Sequence, residues 1–236
     1  MESVDHAVAA ERGGADRIEL CADLASGGTT PSAELMYTVR RQLRIPIHVL
    51  IRPRPGDFCY SDRELEMMRD DIHAAQQFGM DGVVLGILQK NDRVDVERTK
   101  ALVKLAQPLP VTFHRAFDAS DNLETSLEEV VQTGATRILT SAGQPRATDG
   151  LQILKRLVRA AGKRILIMPC GGINSDNVAS IVKTTLAREI HSSAGTSGNG
   201  DFWQGNNDSG LQFGSFEEKV AKLVSRLSDV SEPPVG

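Results

Sequence analysis

The chain has 236 residues, of which 40% are hydrophobic and 25% charged, as in an ordinary globular protein. The formal net charge of −4 lacks the basic footprint of a nucleic-acid-binding protein. No apolar run reaches the roughly 18 residues of a membrane span, and the start does not resemble a signal peptide. The sequence therefore predicts a cytoplasmic protein without a nucleic-acid or membrane partner.

Seven short apolar runs alternate with amphipathic stretches along the chain. Each run is rich in β-branched residues and is bounded by Gly, Pro or Asp, which is typical of buried parallel strands. In chain order, the predicted strands are 17–21, 46–53, 82–88, 110–117, 137–141, 164–169 and 189–193.

Several helix boundaries are also readable. Thr30 precedes a proline and is a candidate cap for the second helix. Ser61 and Glu64 have the spacing of a capping box. Gly79 and Gly134 stand where helices are expected to stop.

The strands fall into two alternating types. Residues 14–20 resemble 134–140, whereas 45–49 resemble 109–113. A closed barrel explains this alternation, because alternate strands supply alternate layers of its interior. We therefore predict an α/β fold of the TIM (β/α)8 type, with parallel strands ringed by helices, as one domain over residues 1–230. Residues 195–214 read as a loop and 231–236 as a disordered tail.

The start of the chain departs from this pattern. Residues 3–12 look like a helix with no strand before it, so the count is seven strands against eight helical segments. We favour the interpretation that the first strand is missing, which would expose two strand edges. The alternative is that the helix simply begins the fold.

Polar residues concentrate at the carboxyl ends of the predicted strands, where parallel barrels carry their active sites. Strand alternation places one apolar set, which includes Val49, Ile51, Val111 and Phe113, against the helices and turns a polar set into the barrel. That polar set consists of Glu19, Cys21, Arg52, His114 and His191. Buried charges are costly unless paired, so the set predicts either a polar pocket or an ion-pair network that fills the barrel mouth.

The loops after the strands add further candidates. Arg52 and Arg54 follow one strand and Arg115 follows another, and guanidinium groups suit carboxylate or phosphate. Gly171 and Gly172 lead towards a helix whose free amides favour anions, although a tight turn is an equal alternative.

A metal is the other candidate ligand at this end of the barrel. Cys21, His114 and His191 could approach one another across the barrel as thiolate and imidazole donors to a soft or borderline ion. A buried apolar role is more common for a lone cysteine at a strand end. No metal-ligand spacing such as CxxC supports the metal.

Several long strings of this sequence resemble the CutC (copper homeostasis protein) family. They are 11–21 (ERGGADRIELC), 27–32 (GGTTPS), 51–54 and 56–62, 111–118 (VTFHRAFD), 139–141 and 189–193. The resemblance implies a cytoplasmic TIM-barrel protein, often oligomeric, that is linked to copper tolerance and to binding of cuprous ion. It implies Cys21 as a copper ligand. Relatives that use this cysteine have a second one in the first strand, which this sequence lacks.

Three functions remain open at this point. The resemblance implies a copper-binding homeostasis protein, expected to be a homo-oligomer. The residues alone favour an enzyme acting on a small anionic or phosphorylated metabolite, with Glu19 or His114 as the acid–base group. A barrel whose activity has decayed is the third. The candidate ligand-binding residues of the enzyme are Arg52, Arg54, Arg115, Asp118, Ser141, Gly171, Gly172 and His191.

Overall fold

The structure, a computed structural model, describes residues 1–194 and 213–231. Within these ranges, no helix is both long and apolar enough to cross a bilayer. The strands are β1 (Ile18–Leu20), β2 (Ile47–Leu50), β3 (Gly82–Leu85), β4 (Val111–Phe113), β5 (Arg137–Thr140) and β6 (Leu166–Pro169). The helices are α1 (Val4–Arg12), α2 (Ala33–Gln42), α3 (Asp62–Gln77), α4 (Val96–Ala106), α5 (Leu123–Thr133), α6 (Leu151–Ala161), α7 (Val178–Thr185) and α8 (Phe213–Ser231).

The strands form one parallel sheet in the order β1-β2-β3-β4-β5-β6, so each strand pairs with its neighbour in the chain. A helix follows each strand before the next begins, and the sheet curls into a half-barrel with helices along its outer face. The predicted α/β fold with parallel strands is confirmed. The described residues supply six of the eight strands of a complete barrel.

The outer face of the sheet carries the main core. Val49, Ile51, Val111 and Phe113 are at most 2% exposed and belong to one cluster with the inner faces of the helices. The predicted packing of these residues is therefore confirmed. The opposite face carries small separate clusters, one of which contains Cys21, Leu50 and Val84.

The open edge of β1 is partly paired. The Met1 amino group donates to the Glu19 carbonyl at 2.6 Å, and the Cys21 amide donates to the Met1 carbonyl at 2.9 Å. A residue in a parallel strand makes this pair of hydrogen bonds to the neighbouring strand, one through its N–H and one through its C=O. The two bonds place Met1 at the edge where a preceding strand would lie, and the absence of that strand stays a prediction.

Helix α8 spans the outside of the same gap, where it packs against α1 on one side and α7 on the other. Gly13 permits this contact, since a Cβ built there would lie 2.7 Å from the Val220 Cβ. The rings of His6 and Phe216 pack at 5.0 Å. The helical layer is thus continuous across the gap between β1 and β6.

Two local predictions are corrected. Residues 189–193 form no regular strand, because the segment makes a single backbone hydrogen bond to β6, from the His191 amide to the Pro169 carbonyl at 3.0 Å. Helix α2 is capped by Ser32 instead of Thr30, and the Thr30 hydroxyl donates to Asp71.

The other helix boundaries fit the sequence. The capping box of Ser61 and Glu64 is confirmed, and Gly134 ends α5 in the left-handed conformation at φ 83°. Phe213 and Gly214 belong to α8 and not to the predicted loop, whose residues 195–212 lie outside the described ranges. Of the predicted tail, Ser231 is the last residue of α8, and 232–236 also lie outside those ranges.

Candidate functional site

An ion-pair cluster closes the amino end of the sheet interior. The Glu189 carboxylate accepts from Arg17 at 2.7 Å and from Arg137 at 2.7 and 3.0 Å. We call Arg17, Arg137 and Glu189 the Glu189 cluster. It joins the start of β1, the start of β5 and the segment after α7. The paired arginines lower the pKa of Glu189 against the opposing effect of burial.

Two histidines lie over glycines of the neighbouring strand. A Cβ built on Gly82 would meet the His48 ring at 2.5 Å, and one built on Gly86 would meet the His114 ring at 2.6 Å. Each glycine therefore makes the room in which an imidazole packs. Burial, reinforced by Arg17 and Arg137, lowers the pKa of His48 to about 4, so this ring is neutral at pH 7.

Cys21 lies just beyond β1 on the inner face, as predicted. Its Sγ is 3.6 Å from the Met1 amino group, and the thiol is buried among Leu24, Leu50 and Val84. Burial raises the pKa of the thiol, whereas the ammonium charge opposes that effect. A thiol in this position becomes a thiolate when a cation replaces its proton.

Glu19 and His191 face one another across the open edge. The Glu19 carboxylate and His191 Nδ1 are 3.9 Å apart, and both side chains are partly exposed. Partial burial lowers the pKa of His191, and the Glu19 charge opposes that shift. The pair brings a carboxylate and an imidazole together where both side chains still contact solvent.

Arg52 is buried, at 2% exposure, and none of its hydrogen bonds within the described residues goes to a carboxylate. Its Nη1 donates to the carbonyls of Gly28 at 2.8 Å and Ser26 at 3.4 Å, and its Nη2 donates to the carbonyl of Gly56 at 2.7 Å. Its Nε is buried with no hydrogen-bond partner among the described residues. Arg52 thus ties the loops after β1 and β2 together and retains one free donor.

His114 lies close to Arg52 and is also buried, at 5% exposure. Its Nδ1 accepts from the Ala116 amide at 3.1 Å, which assigns the proton of the neutral ring to Nε2. That Nε2 is buried with no hydrogen-bond partner among the described residues. Burial and the Arg52 charge lower the pKa of His114 to about 3.

Arg54 lies apart from this group. Its guanidinium donates to Glu64 at 2.5 Å, to the Asp57 carboxylate at 2.9 Å and to the Cys59 carbonyl at 2.9 Å. It also stacks over the Tyr60 ring at 5.3 Å. These contacts fasten the loop after β2 to the start of α3, and they occupy the donors that a ligand would need.

The structure brings together Arg115, Asp118 and Ser141, but these residues bond to one another. Arg115 donates to Asp118 at 2.8 Å and to the Ser141 hydroxyl at 2.7 Å. The Asp118 carboxylate also accepts from the Thr140 hydroxyl, the Ser141 amide and the Gly143 amide. A carboxylate with this many donors is satisfied without a ligand.

Gly171 and Gly172 form a tight turn, with φ values of 93° and 65°. A Cβ on Gly171 would lie 3.1 Å from the Pro145 carbonyl oxygen and 3.3 Å from the Ser141 Cβ. Helix α7 begins only at Val178, after a turn closed by Asn177. The geometry of the pair is therefore explained by packing against the loop after β5.

Three residues near Arg52 were not singled out from the sequence. The Phe58 ring lies 5.0 Å from both the Arg52 guanidinium carbon and the His114 ring centroid. The buried Tyr60 hydroxyl lies beside the Arg52 guanidinium, which acts on its oxygen as a hydrogen-bond donor, and its own proton has no acceptor among the described residues. Gly86 lies under His114. Phe58 and Tyr60 flank a cysteine in one of the strings quoted above, and only that string pointed to them.

Cysteines do not converge at the carboxyl end. Cys170 is buried with Leu139 and Met168, and Cys59 lies half-buried in the loop after β2. Burial raises the pKa of the Cys170 thiol. Over residues 1–194 and 213–231, no group of three or more His, Cys, Asp or Glu side chains is arranged to hold a metal ion.

Residues 1–196, which are most of the chain, match the sequence model of the CutC family. The chain belongs to the CutC family. A human protein named copper homeostasis protein cutC homolog is 45% identical over 213 residues, which cover 90% of this chain and 75% of that protein. A Vibrio cholerae CutC family protein is 49% identical over 198 residues, covering 83% and 77%.

Solved structures agree with the CutC assignment. A copper homeostasis protein CutC from Streptococcus agalactiae superimposes with a TM-score of 0.72 at 37% identity, covering 75% of this chain and 88% of that one. Phosphoribosylanthranilate isomerase from Pyrococcus furiosus superimposes with a TM-score of 0.61 at 15% identity, covering 98% and 96%. This second likeness concerns the fold alone, which is of the TIM-barrel kind.

Proposed function

We propose that this CutC family protein serves copper homeostasis in the cytoplasm by binding cuprous ion through Cys21. The observation that carries the proposal is the position of the Cys21 thiol, on the inner face of the sheet beside the Met1 amino group. Thiolate sulfur is the donor that cuprous ion prefers. The relatives named for copper homeostasis support the same role.

The described residues bring one thiol to this place, where the Glu19 and Glu2 carboxylates also act on it and His191 lies beside Glu19. Binding through one thiolate leaves a coordination position for a second donor. We propose that this donor comes from solution or from a second copy of the chain in a homo-oligomer. Copper held in this way exchanges readily, which suits a protein that buffers or passes on the ion.

The first prediction is that Cys21→Ser weakens cuprous binding by more than about tenfold, because a hydroxyl oxygen is a poor donor to a soft ion. Competition with a chromogenic cuprous chelator measures the affinity. Cys59→Ser and Cys170→Ser are the matched controls, and both should bind as the wild type does. Equal affinity of the Cys21→Ser protein would remove Cys21 from the site.

A second candidate function is an enzyme acting on an anionic metabolite. The observation in its favour is the Glu19–His191 pair at 3.9 Å, which offers a proton acceptor and a proton donor near solvent. Turnover of a phosphorylated or carboxylated metabolite that is lost in Glu19→Gln, with cuprous affinity unchanged, would favour this function over copper binding.

A further inference from the structure

Three neighbouring strands place Arg52, Gly86 and His114 in one row at the carboxyl end of the sheet. The register pairs Leu50 with Val84 and Leu85 with Phe113, so the row continues that pairing. We call these three residues the Arg52 row. Its middle position has no side chain, and the His114 ring occupies the room that a Cβ on Gly86 would need.

The row buries a positive charge without a bonded carboxylate. The short hydrogen bonds of Arg52 all go to backbone carbonyls, and its guanidinium also interacts with the Tyr60 hydroxyl. The Asp57 carboxylate feels the Arg52 charge, but it is exposed and bonded to Arg54. The buried charge is therefore only partly compensated, which is expensive in a folded protein. His114 does not supply the missing negative charge, because it is neutral and lies beside Arg52 as a hydrogen-bond donor.

The unpaired atoms of this region share one chemistry. The Nε of Arg52 and the Nε2 of His114 both carry a hydrogen and can only donate, and the Tyr60 hydroxyl can donate as well. Each lost hydrogen bond of a buried donor costs about 1–3 kcal/mol. What the three atoms lack in common is an acceptor, and the adjacent charge favours a negative one.

The Phe58 ring covers the row. It contacts both Arg52 and His114 at 5.0 Å, and the loop that carries it is held by the bonds of Arg54. An apolar cover lowers the local dielectric constant and so strengthens the attraction between a guanidinium and an anion.

We propose that the Arg52 row, with Tyr60, binds a small oxyanion, either a phosphate or the carboxylate of a small molecule. The ligand oxygens accept from Arg52 Nε, His114 Nε2 and the Tyr60 hydroxyl, while the Arg52 charge balances the ligand charge. This site does not include Cys21, so the copper proposal and the oxyanion proposal can be tested independently.

Thermal unfolding in sodium phosphate, sodium sulfate or sodium acetate, each compared with sodium chloride at equal ionic strength, tests the proposal. Binding to the folded state raises the melting temperature in proportion to the logarithm of ligand concentration. Sulfate and phosphate also stabilise folded proteins without binding, because they are excluded from the protein surface. Only an increase that is reduced in Tyr60→Phe therefore identifies a site, which is of the phosphate type if phosphate and sulfate cause it and of the carboxylate type if acetate does. No increase with any of the three overturns the proposal, and the row is then a polar core filled by water.

Tyr60→Phe is the sharpest variant, because it removes one unpaired hydroxyl and keeps the ring on which Arg54 stacks. We expect binding of the stabilising anion, measured by calorimetry, to weaken about tenfold through loss of one hydrogen bond to a charged ligand. Stability without anion should be unchanged. Tyr37→Phe is the matched control on an exposed tyrosine and should leave anion binding intact.

Arg52→Ala should abolish the stabilisation by anions. Because this change also removes the contacts of Arg52 with the loop carbonyls and can unfold the loops, Tyr60→Phe is the variant that tests the proposal. Wild-type anion affinity in Tyr60→Phe together with lower stability would show that the hydroxyl is only structural and would overturn its place in the site. Cys21→Ser should keep the anion effect, and Tyr60→Phe should keep cuprous binding. These two results separate failure of this proposal from failure of the copper proposal.

Discussion

The Glu189 cluster and the Arg52 row occupy opposite ends of the same sheet interior, and both hold arginine near a neutral histidine that packs over a glycine. At the amino end, two arginines share the Glu189 carboxylate and His48 lies nearby. At the carboxyl end, Arg52 donates to backbone carbonyls and to no carboxylate, and His114 keeps an unpaired nitrogen.

The two ends differ in whether their buried polar groups have partners within the chain. Charges that are paired within the chain have a sufficient explanation in stability. Two unpaired donors that lie side by side next to a buried charge are the basis on which we propose an outside partner at the carboxyl end. Under that proposal, the amino end anchors the fold and the carboxyl end binds the ligand, which is the usual arrangement in parallel barrels.

The largest expected effect concerns the anchor. Glu189→Gln leaves Arg17 and Arg137 facing each other without a counter-charge. We expect the free energy of unfolding to fall by about 3 kcal/mol. This value is at the low end for a broken buried ion pair, because the site is partly exposed. Urea denaturation measures the change. Glu66→Gln, which breaks the exposed pair with Arg69, is the control and should change stability little. An equally small effect at Glu189 would contradict the role of the cluster.

Acid should act on both ends at once. The folded-state pKa values of His48 and His114, about 4 and about 3, lie below the unfolded value near 6.5. The unfolded chain therefore binds more protons below pH 6.5, and stability present above that pH is lost as the pH falls. The expected slope approaches about 1.4 kcal/mol per pH unit for each histidine.

Unfolding free energies between pH 7 and pH 5 measure this slope, above the range in which paired carboxylates titrate. His48→Gln and His114→Gln should each remove about half of it. His191, whose pKa is also lowered, contributes any slope left in the double variant. A profile that is flat from pH 7 to pH 5 would show that neither imidazole is held neutral.

The smallest expected effects come from the glycines under the two rings. Gly82→Ala forces a Cβ against His48 and Gly86→Ala forces one against His114, each costing about 1–3 kcal/mol of stability by overpacking. The two variants should differ in oxyanion binding, because Gly86→Ala should also weaken the binding of the oxyanion whereas Gly82→Ala should not. In the double variant Gly82→Ala/His48→Ala the steric cost should largely disappear. Additive losses would place the strain elsewhere.

Individual residues show how far sequence reasoning reached. Alternation along β2 and β4 correctly predicted that Val49, Ile51 and Phe113 pack on the helices, because strand periodicity is a local property. The same argument turned Cys21, Arg52 and His114 inward. It did not indicate that Arg54 and Asp118 are occupied by loop contacts, since those depend on residues 10 and 23 positions away. The segment 189–193 has strand composition, yet it lacks the ladder that only neighbouring strands can supply.

The sequence by itself determined the α/β class, six of the predicted strands, the capping box of α3 and membership of the CutC family. These follow from side-chain periodicity, backbone preference and long ordered motifs, all of which are local in the chain. Only the tertiary structure decided which polar groups are satisfied and which remain unpaired. That distinction depends on distances between residues far apart in sequence: Arg17 and Arg137 reach one carboxylate, whereas Arg52 and His114 lie together and reach none.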